Sequence, residues 1–489
     1  MVDNGQPDNG QPQVSGAPHV VIVGGGISGL TAAFLLRNEP VRVTVLEGSS
    51  RLGGQVAVSE VAGAAVDEGA EAVWRPKTAW LVNEVGLGDR FELASTTAAA
   101  IWTRGGLRPV PGRQFMGVPA DIDELARCGL LSDEGVARAR KDLELPASDR
   151  NGDVSVEAFV GGRFGQEVVD RLLEPFLYEM CAGRAAELSF QATLTPLAVA
   201  SRKRASLAET AEALLPPTHP LATGICTLTG GLGTLPQTLA EAVLAASPGA
   251  AVRTGARVTE LARSERGWRL TVGSAADPEY IAADAVILAV PADGASRLLA
   301  GLPEAAVASA GLAEIRYASV AVIMLAYPRQ AFAGGLAERG LCGYRVPAVD
   351  GRAVKSVTFS TVKWPHLAGE VEIVRCQAGG IGEEELLLRD DADLAALAAS
   401  EVAEATGVIG GPVATRVARW SQALPQYTVG HQERVARIRT SVATQPGLAV
   451  CGAAYDGVGL GICMATARTA VGQVLNSLKQ TAAPAEGRG

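Results

Sequence analysis

The stretch HVVIVGGGISGL, residues 19–30, decides the fold. His19 to Val23 is a short apolar, β-branched run of the kind buried in parallel sheets. It runs straight into Gly24, Gly25, Gly26, Ile27, Ser28 and Gly29, a G-x-G-x-x-G turn. Ile27 to Arg37 reads as a helix with Leu30, Ala33 and Phe34 on one face, and Val41 to Leu46 as a second strand ending at Glu47. Gly24 permits the tight turn, Gly26 lets backbone approach a pyrophosphate, and Gly29 lets helix lie on strand. The helix N-terminus offers free N–H groups and the positive end of a dipole to phosphate. Glu47 stands where a carboxylate accepts from an adenosine ribose. The unit reads as a dinucleotide-binding βαβ.

Next come Gly48-Ser49-Ser50-Arg51-Leu52-Gly53-Gly54-Gln55. Here the chain resembles the amine-oxidase-like flavoprotein superfamily, in which E-x-x-x-R-x-G-G follows the second strand. The resemblance implies non-covalent FAD, with Gly48, Arg51, Gly53 and Gly54 beside the pyrophosphate and flavin. Val66-Asp67-Glu68-Gly69-Ala70-Glu71-Ala72 looks like the family segment beneath the isoalloxazine ring. Relatives often carry Pro-Asp or Pro-His where this chain has Ala70-Glu71, so backbone contacts transfer more readily than side-chain ones.

Later stretches follow the family order. Thr229-Gly230-Gly231-Leu232-Gly233-Thr234 opens a helix running to about Leu244. Ala251 to Val258 reads as a strand, with Val258 placed like the residue whose backbone meets the adenine. Trp268 to Val272 and Tyr280 to Ala283 are hairpin material, and Asp284 to Pro291 resembles the strand that returns to the nucleotide sheet. Leu448 to Cys451 leads into Gly452 and Ala453, and a helix is expected from about Ile462 to Lys479. The resemblance points that helix, through Gly461, Ile462 and Cys463, at the flavin pyrimidine edge. Cys451 and Cys463 read as buried thiols, not covalent anchors.

Three further stretches resemble the protoporphyrinogen and coproporphyrinogen III oxidases: Ser360-Thr361-Val362-Lys363-Trp364-Pro365, the run Arg419 to His431 containing W-x-x-x-x-P-Q-Y-x-x-G-H, and Glu174-Pro175-Phe176 through Cys181-Ala182-Gly183-Arg184. Trp420 joins the cofactor residues on this basis. The resemblance is nearest to the Gram-positive bacterial enzymes, which favour coproporphyrinogen III. It implies a six-electron aromatisation, molecular oxygen as acceptor, hydrogen peroxide as product, and a downstream ferrochelatase as possible partner. A porphyrinogen is an apolar macrocycle rimmed by carboxylates, so its pocket should be apolar with cations at the rim. Arg75, Arg184 and Lys363 are the expected substrate cations. No catalytic acid or base is identified, and Lys363 is the one weak candidate. Protoporphyrinogen IX, another amine- or carotenoid-type flavin reaction, and a non-enzymatic binding protein for flavin or a haem intermediate stay open.

Composition agrees with a globular enzyme. The chain has 489 residues, 19% charged, with a net charge of −9, which argues against nucleic acid as main partner. Seven cysteines without a C-x-x-C pair and four scattered histidines suggest neither a disulfide framework nor a metal site. No apolar run is long enough for a spanning helix, and the expectation is a cytoplasmic protein, with a monomer favoured. The expected fold class is α/β: a Rossmann-like FAD-binding domain from 18–75, 222–290 and 440–480, a mixed-sheet substrate domain at 295–435, and a mainly helical lobe at 76–221. Residues 1–17 and 481–489 are expected to be tails.

Overall fold

The computed structural model describes residues 16–147, 152–215 and 224–482. The segments 1–17 and 481–489, read as tails, fall almost wholly outside them, although the last helix continues to Ala482.

Five parallel strands form the first sheet, in the order Ala251–Arg253, Arg42–Leu46, His19–Val23, Ala285–Leu288, Leu448–Val450. His19–Val23 is buried at every position, because both of its faces are covered. Val20 and Ile22 face helices Ile27–Leu36, Leu235–Ala246 and Leu460–Ala482. Val21 and Val23 face the other way, toward Trp268, Leu298, Leu312 and Ile438. The strands therefore lack the polar alternation of a half-exposed sheet, as the sequence indicated.

The strand expected from Ala251 to Val258 is two strands. Ala251–Arg253 joins the parallel sheet, and Val258–Ser264 begins an antiparallel meander with Gly267–Ser274 and Asp277–Ala283. Gly255 turns the chain between them at φ +66°, its N–H bonded to Ser49 O and that of Ala256 to Glu47 O. A left-handed residue at that point is compatible with glycine and breaks any continuous strand.

The second large sheet has seven strands, in the order Ala414–Pro425, Tyr317–Pro328, Val371–Gly379, Val354–Phe359, Gly343–Arg345, Ala100–Thr103, Gly106–Pro109. All neighbours are antiparallel except Gly343–Arg345 and Ala100–Thr103. Helix Asp391–Thr406 covers one face. Two segment boundaries differ from the sequence reading. Residues 100–109, placed in the mainly helical lobe, supply two strands here. Helices Ala292–Leu299 and Ala306–Ala313, placed largely with the substrate sheet, and residues 431–435 at the start of helix His431–Ala443, placed there too, pack on the parallel sheet instead. In both cases a long-range partner decides, Gly343–Arg345 for the strands and Trp268 with Val286 and Leu288 for the helices. The rest of the lobe is helical and buries its own core around Leu125, Phe164, Leu173 and Leu197.

The glycine-rich turn at 229–234 is pinned by a buried acid. Asp67 accepts from the N–H groups of Leu232 at 3.1 Å and Gly233 at 3.2 Å. Burial raises its pKa from 3.8 to about 6 despite those two donors. Between about pH 4 and about pH 6 the folded chain keeps a proton that the unfolded chain has released. The contribution of this group to stability therefore falls as pH rises through that window. Asp67→Asn is expected to gain on the parent by up to about 3 kcal/mol between about pH 4 and about pH 7 in denaturant titrations. A stability difference that does not change with pH contradicts this assignment.

Candidate active site

A cavity of about 1480 Å³ lies where the C-terminal ends of the parallel strands, the seven-stranded sheet and the helical lobe meet. That exceeds the roughly 300–1,000 Å³ typical of a pocket for one small molecule. Its walls are mostly apolar, and it has room for two partners side by side.

One wall is backbone. Gly26, Ile27 and Ser28 at the start of the first helix line it, facing Gly53 and Gly54. Gly53 donates to Gly25 O at 2.8 Å, and Gly26 and Gly53 pair as a parallel bridge. Gly26 adopts φ −72° and ψ 177°, a conformation open to any residue. A Cβ there would meet only Gly54 Cα, at 4.0 Å, so glycine at this position leaves space in the cavity. No side chain caps the helix, so its first N–H groups face that space. This bare cradle at a helix N-terminus fits a pyrophosphate. Gly24 and Gly29 act from behind: a Cβ on Gly29 would lie 1.9 Å from Gly24 O, and one on Gly24 would lie 2.4 Å from Ala289 O.

The opposite end of the cradle is the start of the C-terminal helix Leu460–Ala482. Gly452, Ala453, Ile462 and Cys463 line the cavity there. Gly461 does not, because it packs against Lys77. Burial pushes the Cys463 thiol up to about 11, so it is neutral at ordinary pH. The W-x-x-x-x-P-Q-Y-x-x-G-H run braces this turn. Tyr427 Oη donates to Ala453 O, and His431 stacks on Tyr427 with ring centroids 4.2 Å apart and has Nε2 3.1 Å from Tyr455 O.

The segment Gly69, Ala70, Glu71, Ala72 forms the floor and is stitched to the seven-stranded sheet. Trp420 Nε1 donates to Glu68 O at 2.8 Å, and Arg375 Nη2 to Gly69 O at 2.6 Å. Lys363 Nζ meets Glu71 Oε1 at 2.7 Å, and both are nearly buried. Burial pushes the Glu71 carboxyl up, but Lys363 and Arg375 outweigh it and hold it below the usual range. Burial lowers Lys363, but Glu71 outweighs that and raises it.

Glu47, Gly48 and Val258 lie together away from the cavity. Glu47 accepts from the N–H of Gly25 at 2.7 Å and of Ser49 at 2.8 Å, while Gly48 lies against Arg257. Arg51 donates to Gly54 O at 2.6 Å and sits 5.3 Å from the Trp420 ring, outside the cavity lining.

Two expected substrate cations do not line the cavity. Arg75 is exposed at the start of helix Arg75–Glu84, over the Phe91 ring at 5.4 Å. Arg184 faces a separate small cavity, drawn there by Glu383 at 3.6 Å and Ile381 O at 3.4 Å. Lys363 is present in the main cavity. The cations missed in the sequence are Arg375, Lys203 and Arg204, all of which line it. For Arg375 a signal existed. Ser356 and Thr358, and Arg375 and Gln377, are polar at every second position of apolar strands and share the cavity face.

The comparisons with known proteins agree with this geometry. Residues 27–475 match the family model described as flavin containing amine oxidoreductase. The chain is 36% identical over 467 residues to a coproporphyrinogen III oxidase of Mycobacterium tuberculosis, covering 94% of this chain and 97% of that one. It is 31% identical to a coproporphyrinogen III oxidase of Bacillus subtilis, covering 95% and 99%. A solved structure provisionally named a protoporphyrinogen oxidase, from Exiguobacterium sp. 255-15, superposes with a TM-score of 0.81 at 29% identity, covering 95% of this chain and 100% of that one.

Two predictions separate space from packing and test the buried pair. Gly26→Ala should purify folded with its visible flavin absorbance much reduced, whereas Gly29→Ala should lose thermal stability outright; equal flavin content in parent and Gly26→Ala contradicts the cradle. Lys363→Met takes from buried Glu71 its hydrogen-bonded cation, leaving only the nearby Arg375, and should cost about 3 kcal/mol in denaturant melts. Adding Glu71→Gln to it should restore most of that loss, and a double variant no better than the single one contradicts the pairing.

Proposed function

We propose that this chain, which belongs to the flavin containing amine oxidoreductase family, is an FAD-dependent oxidase that converts coproporphyrinogen III to coproporphyrin III, with molecular oxygen as acceptor. The observation that carries this reading is the shape of one cavity, with a bare-backbone cradle along one side and apolar walls with a few cations along the others. Relatives named coproporphyrinogen III oxidase, matched over nearly their whole length, favour that substrate over protoporphyrinogen IX.

Bound FAD supplies a two-electron acceptor, so full aromatisation takes three rounds and three molecules of oxygen, each leaving as hydrogen peroxide. The protein's own share is positioning. The N–H groups at Ile27 and Ser28 would hold the pyrophosphate, and Glu47, fixed by Gly25 and Ser49, would take the ribose. The start of the Leu460–Ala482 helix would place a positive dipole end at the pyrimidine edge. Residues 18–75, 222–290 and 440–480 would then carry the cofactor.

The macrocycle would lie against Val320, Val322, Met180, Leu188 and Leu424, which exclude water from the reacting carbons. Lys363 and Arg375 together exceed Glu71 by one charge, so this inner wall keeps a net positive charge for a propionate. The product would pass to a metal-inserting ferrochelatase.

The decisive assay incubates the purified holoprotein in air with coproporphyrinogen III and protoporphyrinogen IX separately. Porphyrin fluorescence should rise well above autoxidation with coproporphyrinogen III, with about three peroxides per porphyrin. Background traces for both substrates overturn the proposal, and a faster rate with protoporphyrinogen IX reverses the substrate assignment.

A further inference from the structure

The cavity opens beside the helical lobe, where helix Thr195–Ala200 and the turn Ser201–Lys203 edge its wall. Val199 is 56% exposed there, and Lys203 and Arg204 are exposed as well, so this is where the cavity meets water. The Lys203 side chain makes no ion pair or hydrogen bond with any other described residue.

The segment is held from behind by a buried carboxylate. Asp142 is wholly buried and accepts from Ser206 Oγ at 2.7 Å and from the N–H groups of Leu207 and Ala208 at 3.1 and 2.8 Å. It is also paired with buried Arg163. These bonds fix the start of helix Leu207–Leu214 just beyond Arg204, so the two cations stand on a rigid base.

The other charges on the cavity wall are largely committed. Glu71 is paired with Lys363, Glu179 with Arg345 and Asp456 with Arg439. One unit of positive charge is left on the inner wall, from Arg375, and Lys203 adds one at the mouth, where Arg204 also lines the wall. A carboxylate does not enter an apolar wall without a partner. Coproporphyrinogen III carries a propionate on each pyrrole, so whichever edge enters first, carboxylates remain at the mouth. Protoporphyrinogen IX carries only two, on one side, and can turn them inward and leave its vinyl edge outside.

Resting on the porphyrinogen reading above, we propose that Lys203, with Arg204 beside it, is a specificity-determining clamp for the trailing carboxylates of a tetracarboxylate macrocycle. It favours coproporphyrinogen III over protoporphyrinogen IX at the mouth and leaves the inner wall to recognise what the two share.

The test uses the FAD-loaded protein and the stable oxidised macrocycles, coproporphyrin III and protoporphyrin IX, with affinity read from fluorescence. The double variant Lys203→Ser, Arg204→Ser is expected to bind coproporphyrin III about tenfold more weakly, with protoporphyrin IX unchanged within about twofold. Lys203→Arg should keep parental affinity, and high salt should bring the parent toward the variant for coproporphyrin III alone. Equal losses for both porphyrins, or no loss for either, overturn the clamp. If the parent oxidises coproporphyrinogen III while the double variant binds coproporphyrin III undiminished, the clamp alone is wrong. If the parent binds neither porphyrin and oxidises neither porphyrinogen, the functional reading fails and the clamp fails with it.

Discussion

The rest of the site depends on two strips of backbone meeting with no side chain between them. Gly26 and Gly54 come together across the cradle, with Gly53 bonded to Gly25 behind them. A Cβ at Gly29 would strike Gly24 O, so the first helix could not lie this close to the turn that ends the first strand, and a Cβ at Gly24 would strike Ala289 O beyond strand Ala285–Leu288. That close approach aims uncapped N–H groups into the cavity, and the position of the parallel strand tips follows from it. The glycines at 24, 26 and 29 thus do different jobs, packing at the first and last and open space in the middle.

The second constraint is how the two large sheets are held around one cavity. The floor segment 68–72 leaves the cofactor side and is gripped by the seven-stranded sheet through Trp420, Arg375 and Lys363. Gln55 adds a bond to Ala423 O from the cradle itself. Backbone carbonyls are the acceptors at Glu68, Gly69 and Ala423, so these joins do not depend on the side chains at 70 and 71. That accounts for a chain with Ala70-Glu71 in place of the more usual pair keeping the same floor. The replacement acid brings its own partner, since a buried Glu71 without Lys363 would lack its hydrogen-bonded cation.

The nucleotide half was legible because local signals coincide there. The strand, glycine turn, helix and Glu47 are contiguous, and each has a steric or electrostatic reason that one short window contains. The parallel strands themselves were readable as apolar runs such as Ala285–Leu288, but their order in the sheet was not read from the sequence. What was not legible depends on partners far along the chain. Nothing in Ala100–Thr103 announces that it pairs with Gly343–Arg345, and residues 100–109 read as lobe for that reason. Arg75 and Arg184 were chosen as cations near family-like motifs, but the Phe91 ring and Glu383 draw them elsewhere. Lys203 sits in a short turn whose position is fixed by Asp142, remote in sequence, so no local pattern marks it.

The central claim is that cofactor and macrocycle share this one cavity and exchange electrons directly. The most direct measurement mixes FAD-loaded protein with coproporphyrinogen III in the absence of oxygen and follows the visible spectrum. The account predicts that the flavin absorbance bleaches as porphyrin bands appear, at about three flavins per porphyrin, and that admitting oxygen restores it. Porphyrin formed while the flavin stays oxidised, or flavin that no porphyrinogen can bleach, would contradict it.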